Sequence, residues 1–394
     1  MNATFNAYVR ALANHAKPQA FVDMEAFDAN LTGLLKRANG MPIRLASKSV
    51  RCPDLLRYAL GFSEQFQGLL CFHASEAVAL AQQGFDNLLV AYPTTDTEAL
   101  KAVCEHRAKG ADITLMVDDS TQVNAIQGIA QQEGVVMPVC MDVDMSMYLP
   151  GLNFGVYRSP VRTVEAALAL YQAIAACSNV RLTGVMGYEA QVAGVPDKVP
   201  GQGTKNRLIH YLKKRSIKQL HQRRQAIVAA LKQAGAELTL VNGGGTGSLE
   251  STIEDTSVTE VAAGSGLYSP ALFDNYQAFR HQAALLFVLE VCRQPSPKVV
   301  TCLGGGYVAS GAAGKDKLPV PVWPEGLELI DNEGAGEVQT PLTGEKLPSV
   351  GEQVFFRHAK AGELLERFNQ VLLVRGDTCI GNAQTYRGLG WQFI

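Results

Sequence analysis

Lys48 stands in the stretch RLASKSVR, residues 44–51, between Ser47 and Ser49 and close to Ala46, so the chain beside its amine carries only small side chains. A second chemically marked stretch is Asn242, Gly243, Gly244, Gly245, Thr246, Gly247 and Ser248, a glycine-rich turn between an apolar run and a predicted helix. Glycines let a backbone approach an oxyanion and aim N–H groups at it, and a helix dipole adds attraction. Gly264, Ser265 and Gly266 supply a similar loop further on. An amine with room around it and a two-loop phosphate cradle suit a phosphorylated aldehyde held as a Schiff base, and pyridoxal phosphate fits. The plain alternatives are a solvated strand-end lysine and a tight turn. A dinucleotide fingerprint counted from Gly243 would need glycine where Ser248 stands, and no glycine-lysine-serine/threonine follows the turn, so neither NAD nor ATP is favoured.

These residues need a scaffold that gathers them. Eight short apolar runs read as strands: 42–48, 68–73, 87–93, 113–119, 136–144, 181–188, 238–245 and 258–266. Amphipathic segments such as SEAVALAQQG, DTEALKAVCEHRAKG and RTVEAALALYQAIAAC separate them. This alternation predicts an α/β chain folded as a (β/α)8 TIM barrel, with an open doubly wound sheet as the alternative. In a barrel, the strand ends carrying Lys48, His73, Asp142, Asp144, Tyr188, Glu189 and the two glycine loops converge. His73 is expected to cap a helix or line the barrel mouth, and alternation allows at most one of Asp142 and Asp144 to face inward. The basic segment 205–225 reads as a solvated outer helix or, with the loop 192–204, a lid.

After about residue 275 the pattern alternates apolar and polar residues around Gly and Pro turns, which predicts a C-terminal antiparallel β domain. The expected division is a barrel over 20–275, with 1–19 joining 276–394. A chain of 394 residues with 47% hydrophobic and 18% charged residues can bury a large core. Its 35 basic and 37 acidic residues nearly cancel, which argues against nucleic acid as a partner. Eight scattered cysteines without a CxxC pair read as buried thiols of a reducing compartment. No stretch has the length of a membrane span, and the opening residues lack a signal-peptide core; a cytoplasmic protein with no membrane association is expected.

Taken in order, FVDMEAFDANL, RLASKSVR, CMDVDMSM, GVMGYEA, NGGGTGS, EVAAGSGLY and FFRHAKAGELLERFNQVLLVRG resemble the D-threonine aldolase and D-serine dehydratase group of pyridoxal-phosphate enzymes, which share the alanine-racemase-type barrel. The resemblance runs from about residue 18 to the end. It implies a Schiff base on Lys48, phosphate held by Gly243, Gly244, Gly245, Thr246, Gly264 and Ser265 with Asn242 in the same turn and Tyr268 nearby, and Arg158 and Tyr188 beside the cofactor ring. An arginine or phenol near the ring nitrogen leaves it largely unprotonated and so a weaker electron sink. The family also places a metal pair in the β domain, a histidine followed two residues later by cysteine or aspartate. His358 matches, but Lys360 occupies the second place, and a charged amine has no lone pair to offer. A divalent metal is therefore in doubt, and His358 with Lys360 is expected to serve as acid/base and cation.

The expected activity is a pyridoxal-phosphate-dependent lyase acting on β-hydroxy D-amino acids, by retro-aldol cleavage or by dehydration with deamination. An amino-acid racemase of the alanine racemase type, a non-catalytic pyridoxal-phosphate-binding protein and a Schiff-base aldolase of sugar phosphates are the alternatives. A racemase needs a second base opposite Lys48, and Tyr307, a tyrosine in the β domain, is not flanked by a racemase motif. A small amino-acid substrate and a homodimer are the partners the resemblance implies.

Overall fold

The computed structural model describes residues 2–312 and 314–394. Its chain divides into two compact units, one of Met1–Gly33, Lys48–Tyr58 and Gly264–Gln392, the other of Leu34–Ser47, Ala59–Ala263 and Phe393–Ile394.

The second unit holds a closed barrel of eight parallel strands: Ile43–Ala46, Phe66–Cys71, Leu88–Val90, Ile113–Val117, Met137–Asp142, Val180–Gly187, Leu240–Gly243 and Glu260–Ala263. Six lie within the expected apolar runs, while Phe66–Cys71 and Val180–Gly187 begin two residues and one residue before theirs. Closure comes from the last strand pairing with the first, Val261 opposite Ile43 and Ala263 opposite Leu45. Inside, Leu89, Ala91, Met116, Cys140 and Met186 pack together; burying a Leu or Met of this kind contributes about 1.5–3 kcal/mol. Arg44 on the first strand makes a two-point ion pair with Glu260 on the eighth, at 2.5 and 3.0 Å, and Asn242 donates to the same carboxylate at 2.7 Å. This ties three neighbouring strands at one level.

The connecting helices begin where polar caps satisfy their first N–H groups. Asp96 and Thr163 cap the helices Thr97–Ala108 and Val164–Ala175, and Asp119 with Gln122 forms a capping box for Ser120–Gln132. His73 is also a cap: its Nδ1 accepts from the Ser75 N–H at 3.2 Å.

The first unit carries a nine-stranded, largely antiparallel sheet. Gln19–Asp23 lies in its middle, antiparallel to Leu285–Ser296 and parallel to Gln370–Arg375. Gln353–Arg357 pairs on Leu285–Ser296 as well. A core of Phe5, Tyr8, Phe21, Phe355, Leu286 and Leu372 covers one face, with Phe5, Tyr8 and Phe21 each 5.0–5.9 Å from an aromatic partner in edge-on geometry. No described helix is long and apolar enough to cross a membrane. The eight cysteines are free thiols; Cys177, Cys292 and Cys379 are only half-buried, which corrects the expectation that all are interior. Cys177 follows a helix end and Cys379 lies in the last strand of the sheet, while Cys292 lies toward the end of the interior strand Leu285–Ser296.

Candidate active site

In the barrel unit, the seventh strand runs straight into the glycine turn. Gly244 has φ +81°, and a Cβ there would sit 3.0 Å from the Thr252 hydroxyl; one on Gly243 would meet the Arg224 guanidinium at 3.1 Å. Both torsion and space therefore call for glycine. The turn is held from beneath by Glu189, whose carboxylate accepts from the Gly244 N–H at 2.8 Å and from the Thr252 hydroxyl at 2.6 Å. Arg224, fully buried, braces Glu189 at 3.3 Å, Asp255 at 2.7 Å and the Gly187 carbonyl at 2.9 Å. Arg37 donates to the Thr246 carbonyl at 2.6 Å and to Glu250. The helix after the turn, Leu249–Ile253, has five residues, too short for the dipole invoked from the sequence; any cradle here rests on the turn itself. The Asn242 side chain is committed to Glu260.

Arg158 and Tyr188 come together in the same unit. The Arg158 guanidinium donates to Asp142 at 2.6 Å and to the Ala91 carbonyl at 2.7 Å, with the Tyr92 ring 4.7 Å beneath it and Tyr188 at 6.0 Å. Asp142 is buried, its other oxygen without a partner among the described residues, and burial pushes its carboxyl up to about 6 against the pull of Arg158. Burial, helped by Glu189, pushes the Tyr188 phenol up to about 12, so the side chain stays a neutral donor.

Asp144 is buried too, but beyond the strand. The strand ends at Asp142, and beyond it Asp144 accepts from the Ser146 N–H at 2.9 Å and pairs with Arg162 at 3.1 Å. The basic segment forms the helix Gly203–Gln233, yet it is not simply solvated: Arg224 and Lys213 are interior, Lys213 bound to Asp197 at 2.9 Å. Glu189, Arg224 and Asp255 escaped the sequence reading because their relation is spatial; the only signal was Glu189 at the end of the sixth strand.

The sheet-bearing unit holds the rest. Lys48 lies in a single 3-10 turn, Ser47–Ser49, directly after the first barrel strand, and its side chain is exposed. The residues that follow are pinned. Arg51 donates to the Lys48 carbonyl at 3.0 Å and pairs with Glu366 at 2.7 Å, while the Tyr268 hydroxyl donates to the Val50 carbonyl at 2.9 Å. Gly264 and Ser265 open a helical turn closed by the Leu267 and Ser269 N–H groups.

His358 follows the strand Gln353–Arg357 and is buried, with its ring 6.5 Å from that of Tyr268. Its Nδ1 lies 3.2 Å from the Leu285 carbonyl, a contact only an N–H can satisfy, which leaves the lone pair on Nε2. Nε2 is buried and no hydrogen-bond donor reaches it among the described residues, although the backbone of Ala361 also acts on the ring. Burial, with the Arg357 charge, pushes this imidazole down to about 3, so it is neutral. His358 and the exposed Lys360 line a pocket of about 20 Å3 together with Tyr307, Glu363, Leu364 and Arg367.

A family model described as the alanine racemase N-terminal domain matches residues 22–271, more than half of the chain. The 3-hydroxy-D-aspartate aldolase of Paracoccus denitrificans (strain Pd 1222) is 25% identical over 258 residues, 64% of this chain and 60% of that protein, so the chain spans less than two thirds of the relative's length. The D-threonine aldolase of an Arthrobacter sp is 24% identical over 298 residues, 73% of this chain and 70% of the relative. Among solved structures, D-threonine aldolase from Filomicrobium marinum has the same fold at a TM-score of 0.82 and 21% identity, covering 97% of both chains. D-threo-3-hydroxyaspartate dehydratase from Delftia sp. HT23 follows the same path at 0.75 and 17%, covering 95% of this chain and 98% of that one. Barrel, sheet and matched span agree: the chain belongs to the alanine racemase N-terminal domain family.

Proposed function

We propose that the protein is a pyridoxal-phosphate-dependent lyase acting on β-hydroxy D-amino acids. The cofactor fits the residues present. An exposed amine follows a barrel strand, a glycine turn with a positive φ at Gly244 and little room for a Cβ is braced by Glu189, and Arg158 is held between Asp142 and Tyr92. Lys48 would carry the cofactor's aldehyde carbon. Gly243, Gly245, Thr246, Gly264 and Ser265 would take its phosphate, with Gly244 shaping the turn because its N–H is already engaged by Glu189, and with the Gly245 N–H having to exchange its 3.2 Å bond to the Ser248 hydroxyl for the phosphate. Arg158 and Tyr188 would face its ring. When bound, the cofactor supplies the electron sink for bond breaking at Cα.

The observation that carries the lyase reading is His358. A neutral ring whose buried Nε2 lone pair meets no donor among the described residues can accept a hydrogen bond and then a proton from a substrate hydroxyl, provided that the entering substrate offsets the burial that makes the free ring a weak base. Aldol cleavage requires removal of the β-hydroxyl proton, whereas dehydration requires a proton delivered to departing hydroxide. The tautomer set by Leu285 favours the first, so we infer retro-aldol cleavage. The names of the relatives, D-threonine aldolase and 3-hydroxy-D-aspartate aldolase, support the same substrate class. A homodimer working in the cytoplasm, where unpaired thiols stay reduced, completes the proposal.

The test is direct. Protein purified with pyridoxal phosphate should show a visible absorbance band that borohydride abolishes by fixing the cofactor to a lysine, and Lys48→Ala should lack both the band and the fixed cofactor. D-threonine should yield glycine and acetaldehyde. Ammonia and a keto acid as the main products would replace cleavage with dehydration, L-threonine epimers would favour a racemase, and a colourless protein would reject the cofactor.

A further inference from the structure

We propose that the ammonium of Lys360 does the work of a divalent cation beside His358, polarising the substrate's β-hydroxyl so that turnover needs no metal ion. The inference rests on the lyase reading above and deepens it.

The donor set does not suit a metal. His358 offers one lone pair at Nε2. Lys360, two residues along, has three N–H donors and no acceptor while charged. Glu363 is the only carboxylate lining the pocket, and both of its oxygens are taken, one by the Ser310 N–H at 2.7 Å and the other by the Ser310 hydroxyl. Among the described residues no three His, Cys, Asp or Glu side chains gather as a possible metal site.

The same pocket suits a hydroxyl. About 20 Å3 is room for roughly one oxygen atom with its hydrogens. A buried acceptor without a donor is costly, and a substrate O–H would satisfy Nε2. Of the two cations in the pocket, Arg367 presents a planar fork matched to carboxylates, while Lys360 is a compact point charge on a four-carbon stem that suits a single oxygen. The adjacent turn at Ala361, φ +50°, and Gly362 fixes the backbone from which that stem swings.

In the step itself Lys360 donates a hydrogen bond to the β-oxygen and keeps all its protons. The hydroxyl proton passes to Nε2 of His358, the O–H pair becomes the second bond of the aldehyde carbonyl, and the Cα–Cβ pair stays with Cα. Cα later takes up one proton and His358 returns one to solvent, so the balance closes.

The experiment uses the protein purified with pyridoxal phosphate. Metal content by mass spectrometry should be far below one equivalent, and dialysis against EDTA should leave turnover unchanged. Lys360→Gln should keep the cofactor band and melting temperature while losing about 100-fold to 1000-fold in kcat, as for loss of one charge-stabilising donor. Lys360→Asp should gain one calorimetric binding site for Mn2+ that the native protein lacks, because an acceptor then joins His358. One tightly held zinc or manganese that the native enzyme requires, a fully active Lys360→Gln, or a Lys360→Asp protein with no Mn2+ site would each overturn the inference. The Mn2+ titration needs neither cofactor nor substrate, so it tests whether Lys360 stands in a cation's place separately from the lyase reading.

Discussion

Gly362 packs its Cα directly against the carbonyl oxygen of Ser49: a Cβ at 362 would lie 2.3 Å from that oxygen. The residue next to the candidate cofactor lysine and the turn that follows His358 and Lys360 are therefore in backbone contact, and no side chain can come between them. Gly362→Ala must push the two apart. We expect a loss of about 1–3 kcal/mol in urea unfolding, together with weaker retention of pyridoxal phosphate through the displaced Lys48 turn. A variant as stable as the native protein, with unchanged cofactor affinity, would show the contact to be slack.

Tyr268 should matter through its hydroxyl. The side chain is fully buried and donates to the Val50 carbonyl, two residues after Lys48. Tyr268→Phe leaves that carbonyl short of a donor, so a cost of about 1–2 kcal/mol is expected in urea unfolding, with faster loss of cofactor on dialysis.

Glu189 is expected to act on the phosphate end. Glu189→Gln replaces one carboxylate acceptor beneath Gly244 and leaves Arg224 with Asp255 as its remaining ion-pair partner. The affinity for pyridoxal phosphate, followed by absorbance titration, should fall about 10-fold, as for an effect of about 1.4 kcal/mol. The native pH profile of turnover should persist once cofactor is saturating. A changed profile would assign Glu189 a part in proton transfer.

Asp142 sets a pH dependence whose sign can be worked out. Its carboxyl titrates near 6 in the folded protein, above the usual carboxylate value near 4, so the folded state binds the proton more tightly. The stability this contributes is fully present at pH below about 4 and is lost as pH rises through 6. Comparison of urea midpoints from pH 4 to 7 should show a flatter curve for Asp142→Asn than for the native chain. Parallel curves would mean that Asp142 stays ionised throughout, fully compensated by Arg158.

The barrel was legible because its signal is local. Runs such as NLLVAYP and ITLMVDD are short, apolar and bounded by turn residues, so each strand announces itself within a few positions. Lys48 and the glycine turn were legible for the same reason. The bracing of that turn was not, since Glu189, Arg224 and Asp255 are far apart in sequence and Arg224 sits in a run of basic residues that looks uniformly solvated. Nor could the sequence show that the Gly244 N–H is spoken for, or that the His358 ring is buried with its lone pair unmet. Those facts depend on which carbonyl or carboxylate happens to lie opposite, and periodicity carries no information about that.

The strand Gln19–Asp23 is synthesised before both its neighbours, Leu285–Ser296 and Gln370–Arg375. Until they follow, this apolar ribbon has two bare edges waiting for partners several hundred residues away. A ribosome stalled before residue 370 would therefore release a chain in which one edge of Gln19–Asp23 stays unpaired, an aggregation seed far in sequence from the break.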